Sequence, residues 1–166
     1  MDGLYRAVRA LPRAVADGHD RQARHDMAIA AMEGAMAFQK GLGAVHALSH
    51  PLGAHAELGL HHGTLNAVLL PAVLRFNEPA LGERARRLRR VVGLDAGADL
   101  AVWAEGFAAR LGLPASLSAM GVPENMLDDI AEAATFDHTH PTNARPATAR
   151  DYRRILAASF ADGRAA

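Results

Sequence analysis

Apolar residues recur at three- and four-residue intervals along nearly the whole chain, and no stretch alternates strictly enough to read as a strand. Leu4, Ala7, Val8 and Leu11 carry a short first helix toward Pro12 and the Asp17-Gly18 turn. Met27, Ala31, Ala35, Phe38, Leu42, Val45 and Ser49 then form one mostly apolar stripe, which predicts a long second helix over about residues 20–49. At about 1.5 Å per residue such a helix would reach roughly 45 Å. Gly34, Gly41 and Gly43 within it cost about 1 kcal/mol each relative to alanine, so they are read as points where another backbone approaches. Further helices are predicted at about 63–76, 80–92, 97–111, 123–135 and 148–160. They are separated by Asn77-Glu78-Pro79, Gly93, Gly112-Leu113-Pro114 and a loop over 137–147. The fold class is all-α: a multi-helix bundle around the 20–49 helix, forming a single helical domain over 1–166.

One segment breaks the uniformity. GLGAVHALSHPLGAHAELGLHHGTLNAVLLP, residues 41–71, gathers five of the nine histidines. On a helix, His46 and His50 lie four residues apart on one face, and the HHG at 61–63 can return a third imidazole after a loop. Neutral imidazole is a good ligand for Fe²⁺ or Zn²⁺, and two or three of them with an open position make a Lewis acid. Such an acid activates an alcohol or polarises a carbonyl for hydride exchange with a nicotinamide. His50, one turn beyond His46, is placed to relay a proton or shape a substrate pocket.

Composition narrows the classes. With 50% hydrophobic residues, 166 residues suffice for one core. A formal net charge of zero gives no general attraction to nucleic acid or an anionic membrane. The absence of cysteine excludes disulfides and thiolate metal sites. MDGLYRAVRALP lacks the apolar core of a signal peptide, and LNAVLLPAVL is too short to span a bilayer, so the cytoplasm is the expected location.

The stretches LPRAVADG, GAVHALSHPLG and HHGTLNAVLLP resemble the C-terminal helical domain of the iron-containing alcohol dehydrogenases. That superfamily also includes lactaldehyde reductases, glycerol dehydrogenases and maleylacetate reductases. The likeness runs from LPRAVADGHD through LGLPASLSAMGVPENMLDDIAEAA to PTNARPATARDYRRIL. It implies a dehydroquinate-synthase-like C-terminal domain and a divalent metal, iron or zinc, held by one aspartate and three histidines. His46 resembles the third protein ligand and His62 the fourth, with His61 an alternative to His62. His50 resembles the extra histidine beside the substrate and nicotinamide ring, a catalytic position outside the ligand set. The family's nucleotide-binding domain and its D-x-x-x-H helix do not appear in these residues, so the resemblance implies a chain that starts just downstream of them. NAD(P) would then bind only through a missing N-terminal domain. The expected partners are a nucleotide-binding chain or further copies of this one, with a small alcohol or aldehyde as substrate. The resemblance implies no turnover by the chain alone; the alternative is a non-catalytic helical binding or assembly module.

The remaining motifs favour structural readings. GLGAVH lacks the third glycine and preceding strand of a dinucleotide loop. Glu83 through Arg90 reads as a solvated helix face with Glu83 and Arg87 able to pair, and no aromatic residues interleave to support nucleic-acid binding. Asp128, Asp129 and Glu132 fall early in a helix, where the dipole favours them. Asp137-His138-Thr139-His140 looks metal-like but precedes PTNARP, which resembles a structural loop of the family; Ala144 stands where that loop commonly has proline. His55 and His61 read as loop spacers.

Overall fold

The computed structural model describes residues 1–161 and contains helices and turns, with no strand among the described residues. Eight α-helices follow one another: α1 Asp2–Ala16, α2 Arg21–Ala37, α3 Ala44–Gly53, α4 His62–Leu81, α5 Glu83–Val92, α6 Leu100–Arg110, α7 Leu127–Phe136 and α8 Ala149–Phe160. The all-α expectation holds. The continuous 20–49 helix does not: α2 ends at Ala37, and the chain reaches Ala44 through a 3₁₀ turn, Phe38–Lys40, and an open stretch. Gly41 at φ 92° and Gly43 at φ 78° adopt the left-handed region, where L side chains are strained. The apolar stripe is not the face that α2 buries: Ala31, Ala35 and Phe38 are exposed and α2 buries Ala23 and Ala30 instead, while the helical spacing stops at the two glycines. The helix expected at 63–76 runs through Pro79 to Leu81, so Asn77-Glu78-Pro79 is no boundary.

The chain divides into two compact units, Met1–Gly41 with Gly82–Ala98, and Leu42–Leu81 with the segment from Asp99 onward. In the first, α1 packs against α2 and α5. Gly3 permits close approach of α1 to α2: a Cβ there would meet Ala30 O at 3.2 Å and Glu33 Cβ at 3.1 Å. Asp20 caps α2 by accepting from Ala23 N–H. Arg6 bridges Asp2 and Asp26 at 2.7 and 2.9 Å. On α5, Glu83 pairs with Arg86, not Arg87, and the buried Arg89 donates to Ala98 O.

In the second unit the central element is α4, which packs against α3, α6 and α8, while α7 packs against α3 and α8. Leu48, Leu52, Leu65, Leu69, Leu127 and Leu156 form the heart of its core, with Tyr152 fully buried among them. The loop after α7 is fastened by Asn143. Its Oδ1 accepts from Ala44 N–H at 3.1 Å and Asn77 Nδ2 at 3.0 Å, and its Nδ2 donates to Asn77 Oδ1 and Arg145 O. Gly43 is read correctly as a close approach, since a Cβ there would lie 3.0 Å from Asn143 Oδ1; Gly34 has nothing within 4 Å.

Candidate metal site

Helices α3 and α4 deliver the three histidines singled out in the sequence, and the structure brings all three together. Gly43 offers no side chain to cap α3, so the Asn143 amide serves that end instead. Two turns then carry His46 and His50 on one face, with Ala47, Leu48 and Ser49 buried. α4 opens at His62. The ring centroids are 5.3 Å apart for His46 and His62, 5.5 Å for His46 and His50, and 5.7 Å for His50 and His62.

His61 does not join them. Its Nδ1 turns to the start of α4, 3.2 Å from Thr64 Oγ1 and 3.4 Å from Thr64 N. His55 pairs with Glu57 at 2.9 Å, as befits a loop spacer. His140 sits 2.8 Å from the Tyr152 hydroxyl, whose pKa is pushed up to about 12 by burial and the Asp137 charge.

Electrostatics keeps His46 a neutral ring. Burial, helped by the imidazoles of His62 and His50, lowers its pKa below the ordinary 6.5. Asn66, one turn along α4 from His62, lies against both rings: its Nδ2 is 3.4 Å from His46 Nε2 and 3.1 Å from His62 Nε2. Meanwhile Asn66 Oδ1 is buried without a hydrogen-bond partner. A buried orphaned carbonyl costs about 1–3 kcal/mol. Two imidazole nitrogens thus converge on one amide, and in this orientation both accept from it. That donor set fits a borderline dication, which takes neutral imidazole nitrogen.

Sequence reading missed Asp137 as a partner of these rings. Its Oδ2 lies 2.9 Å from His50 Nδ1, while Oδ1 accepts from Thr139 N and Oγ1 at 2.8 and 2.5 Å. Burial pushes the Asp137 carboxyl up, but the Thr139 donors and His50 outweigh it and leave its pKa below the usual 3.8. His138 stacks on His50 with centroids 5.5 Å apart. Among the described residues, His50, Asp137 and His138 form a group of three whose donor atoms lie within 4.8 Å of one another. Asn66 carried a usable signal, four residues beyond His62 on the same helical face. The Asp137-His138-Thr139-His140 run looks metal-like, but nothing in it points to His50, 87 residues away.

The chain is 52% identical over 167 residues to 4-hydroxybutyrate dehydrogenase of Cupriavidus necator, a match covering 96% of this chain and 44% of that protein. Alcohol dehydrogenase from Oenococcus oeni superposes with a TM-score of 0.87 at 32% identity, covering 96% of this chain and 43% of that one. Maleylacetate reductase from Rhizobium sp. strain MTP-10005 gives 0.80 at 33%, covering 96% and 43%. The chain therefore spans less than half the length of these relatives. With residues 4–160 matching the model of the Fe-containing alcohol dehydrogenase family, C-terminal, the chain belongs to that family and corresponds to its C-terminal part.

Proposed function

We infer that residues 1–166 serve as the one helical, metal-holding domain of an NAD(P)-dependent alcohol dehydrogenase, with His46 and His62 as two of its metal ligands and His50 as a catalytic residue. The observation that carries this is the meeting of three imidazoles from two helices around the Asn66 amide. Fe²⁺ or Zn²⁺ held there would supply Lewis acidity toward an alcohol or carbonyl oxygen. The chain's own residues do the rest. Asn66 Nδ2 holds the His46 and His62 Nε2 lone pairs together where a metal would take its place, and Asp137 accepts from His50 Nδ1, which presents His50 Nε2 for proton exchange with the substrate hydroxyl. The substrate is a short alcohol or aldehyde, and a hydroxy-acid of the kind named by the 52% identical relative is the first to try.

The nucleotide is bound outside this chain, so the chain alone gives no turnover and acts with a nucleotide-binding partner or domain in the cytoplasm. None of the helices among the described residues is long and apolar enough to cross a membrane. A non-catalytic assembly module is the second reading, favoured by the exposure of Met32, Met36 and Phe38. Complementation separates the two. The chain is joined to the N-terminal domain of a relative and assayed with NAD⁺, NADP⁺ and short alcohols. Wild type should turn over, and His46→Ala and His62→Ala should each lose at least about 100-fold, as removal of a metal-binding group does. Equal activity in all three sinks the metal reading; turnover by the isolated chain sinks the requirement for a partner.

A further inference from the structure

One group of side chains apart from the His46 and His62 pair is assembled like a cation site. His50 Nδ1 stands 2.9 Å from Asp137 Oδ2, and His138 Nδ1 stands 3.8 Å from Asp137 Oδ1. The two imidazole planes lie 11° apart. One donor atom from each of the three residues falls within 4.8 Å of the others. Around a tetrahedral dication with bonds of about 2.0–2.2 Å, neighbouring donors stand roughly 3.3 Å apart. The nearly parallel ring planes do not yet converge on one ion, so turning the exposed His138 ring toward Asp137 is the movement that separates this group from coordinating geometry.

The parts differ in how they are held. The carboxylate is fixed: Asp137 is 12% exposed, and Thr139 holds its Oδ1 with backbone and hydroxyl donors, leaving Oδ2 directed at His50. His138, 79% exposed, has room to turn. Fixing the orientation of His50 needs only Asp137, so that role leaves the stacking of His138 over the same ring unexplained. Two imidazoles and a carboxylate with room for water match the three-ligand sites that take Zn²⁺, Co²⁺ or Ni²⁺; Mg²⁺ and Ca²⁺ prefer oxygen donors throughout.

We propose that His50, Asp137 and His138 form a second divalent transition-metal site, distinct from the His46 and His62 pair and built entirely from this chain's residues. It takes Zn²⁺, Co²⁺ or Ni²⁺ with residues of this chain alone, and loading it displaces the proton that His50 Nδ1 shares with Asp137, so the loaded site and the catalytic role of His50 exclude each other. The test is titration of the full chain with Zn²⁺ alone, followed by calorimetry, and with Co²⁺ alone, followed by visible absorption. Wild type and the His46→Ala/His62→Ala double variant should both bind, with the same Co²⁺ spectrum. His138→Ala should bind at least tenfold more weakly and lose that spectrum; its exposure makes a folding defect no concern, and circular dichroism checks it. Asp137→Asn should weaken binding similarly. Three results overturn the site: no binding by wild type, binding by His138→Ala equal to wild type, or loss of binding in the double variant. The dehydrogenase reading stands or falls separately, by turnover in the complementation assay.

Discussion

The two compact units bury their helices with different side chains. Around α1, α2 and α5 the buried positions are Gly3, Ala10, Ala23, Ala30, Ala85 and the guanidinium-bearing Arg89, while Tyr5, Met32, Met36 and Phe38 remain exposed. Around α4 the buried positions include alanines too, but also Leu48, Leu52, Leu65, Leu69, Leu117, Leu127, Leu156, Ile130, Ile155, valines such as Val73, and Tyr152. A fully buried leucine contributes about 1.5–3 kcal/mol, and an alanine far less. The alanine-lined unit thus relies on close helix approach and charged pairs. The unit around α4 buries the larger apolar side chains, and it holds every residue of the candidate site. Sites demand that their supporting shell be rigid, and a deep core supplies that.

The contrast can be broken by substitution. Leu65→Ala, at a fully buried position on α4 just beyond His62, should cost about 2–5 kcal/mol in urea unfolding. A loss below 1 kcal/mol would mean that the leucine core is not what anchors the site. Asn143→Ala removes the amide that serves Ala44 N–H and Asn77, and should cost about 1–3 kcal/mol. Amide exchange should show the loss first at the start of α3.

Thr148→Ala destroys the capping box with Asp151 at the start of α8 and should cost about 1 kcal/mol. The hydrogen bonds from Thr148 hold the Asp151 carboxyl below its ordinary 3.8, so the wild-type advantage is present above that value and fades as pH falls through the lower folded value. Thermal melts of both proteins from pH 7 to pH 2 should converge at the acid end. The smallest effect belongs to the first unit: Arg13→Ala breaks an exposed pair with Asp20 at 2.7 Å and should change stability by less than about 1 kcal/mol. A larger loss would show that surface charge carries more of that unit than its alanine packing implies.

Periodicity alone made the helical class legible, because every element buries a face at helical spacing. It could not reveal the break at Gly41 and Gly43, nor which face α2 buries: the stripe passes through Ala31, Ala35 and Phe38, which are exposed, while α2 buries Ala23 and Ala30. Prolines misled in the same way. Pro79 reads as a stop, yet α4 accommodates it near its end. For the site, His46, His50 and His62 were accessible because a helix and a short loop bring nearby residues together. Asp137 and His138 were not, since their meeting with His50 depends on α7 packing against α3, a contact no local pattern encodes.

The Asn143 amide has a last consequence. It clamps the far end of the segment whose near end carries Asp137, so the five residues 138–142 are held between a carboxylate that must meet one histidine and an amide that must meet the first turn of α3. Inserting or deleting a single residue there would throw the two attachments out of register. Spacing in this stretch is therefore more tightly constrained than residue identity, and Ala144, which lies beyond the second attachment, can depart from the family pattern without disturbing it.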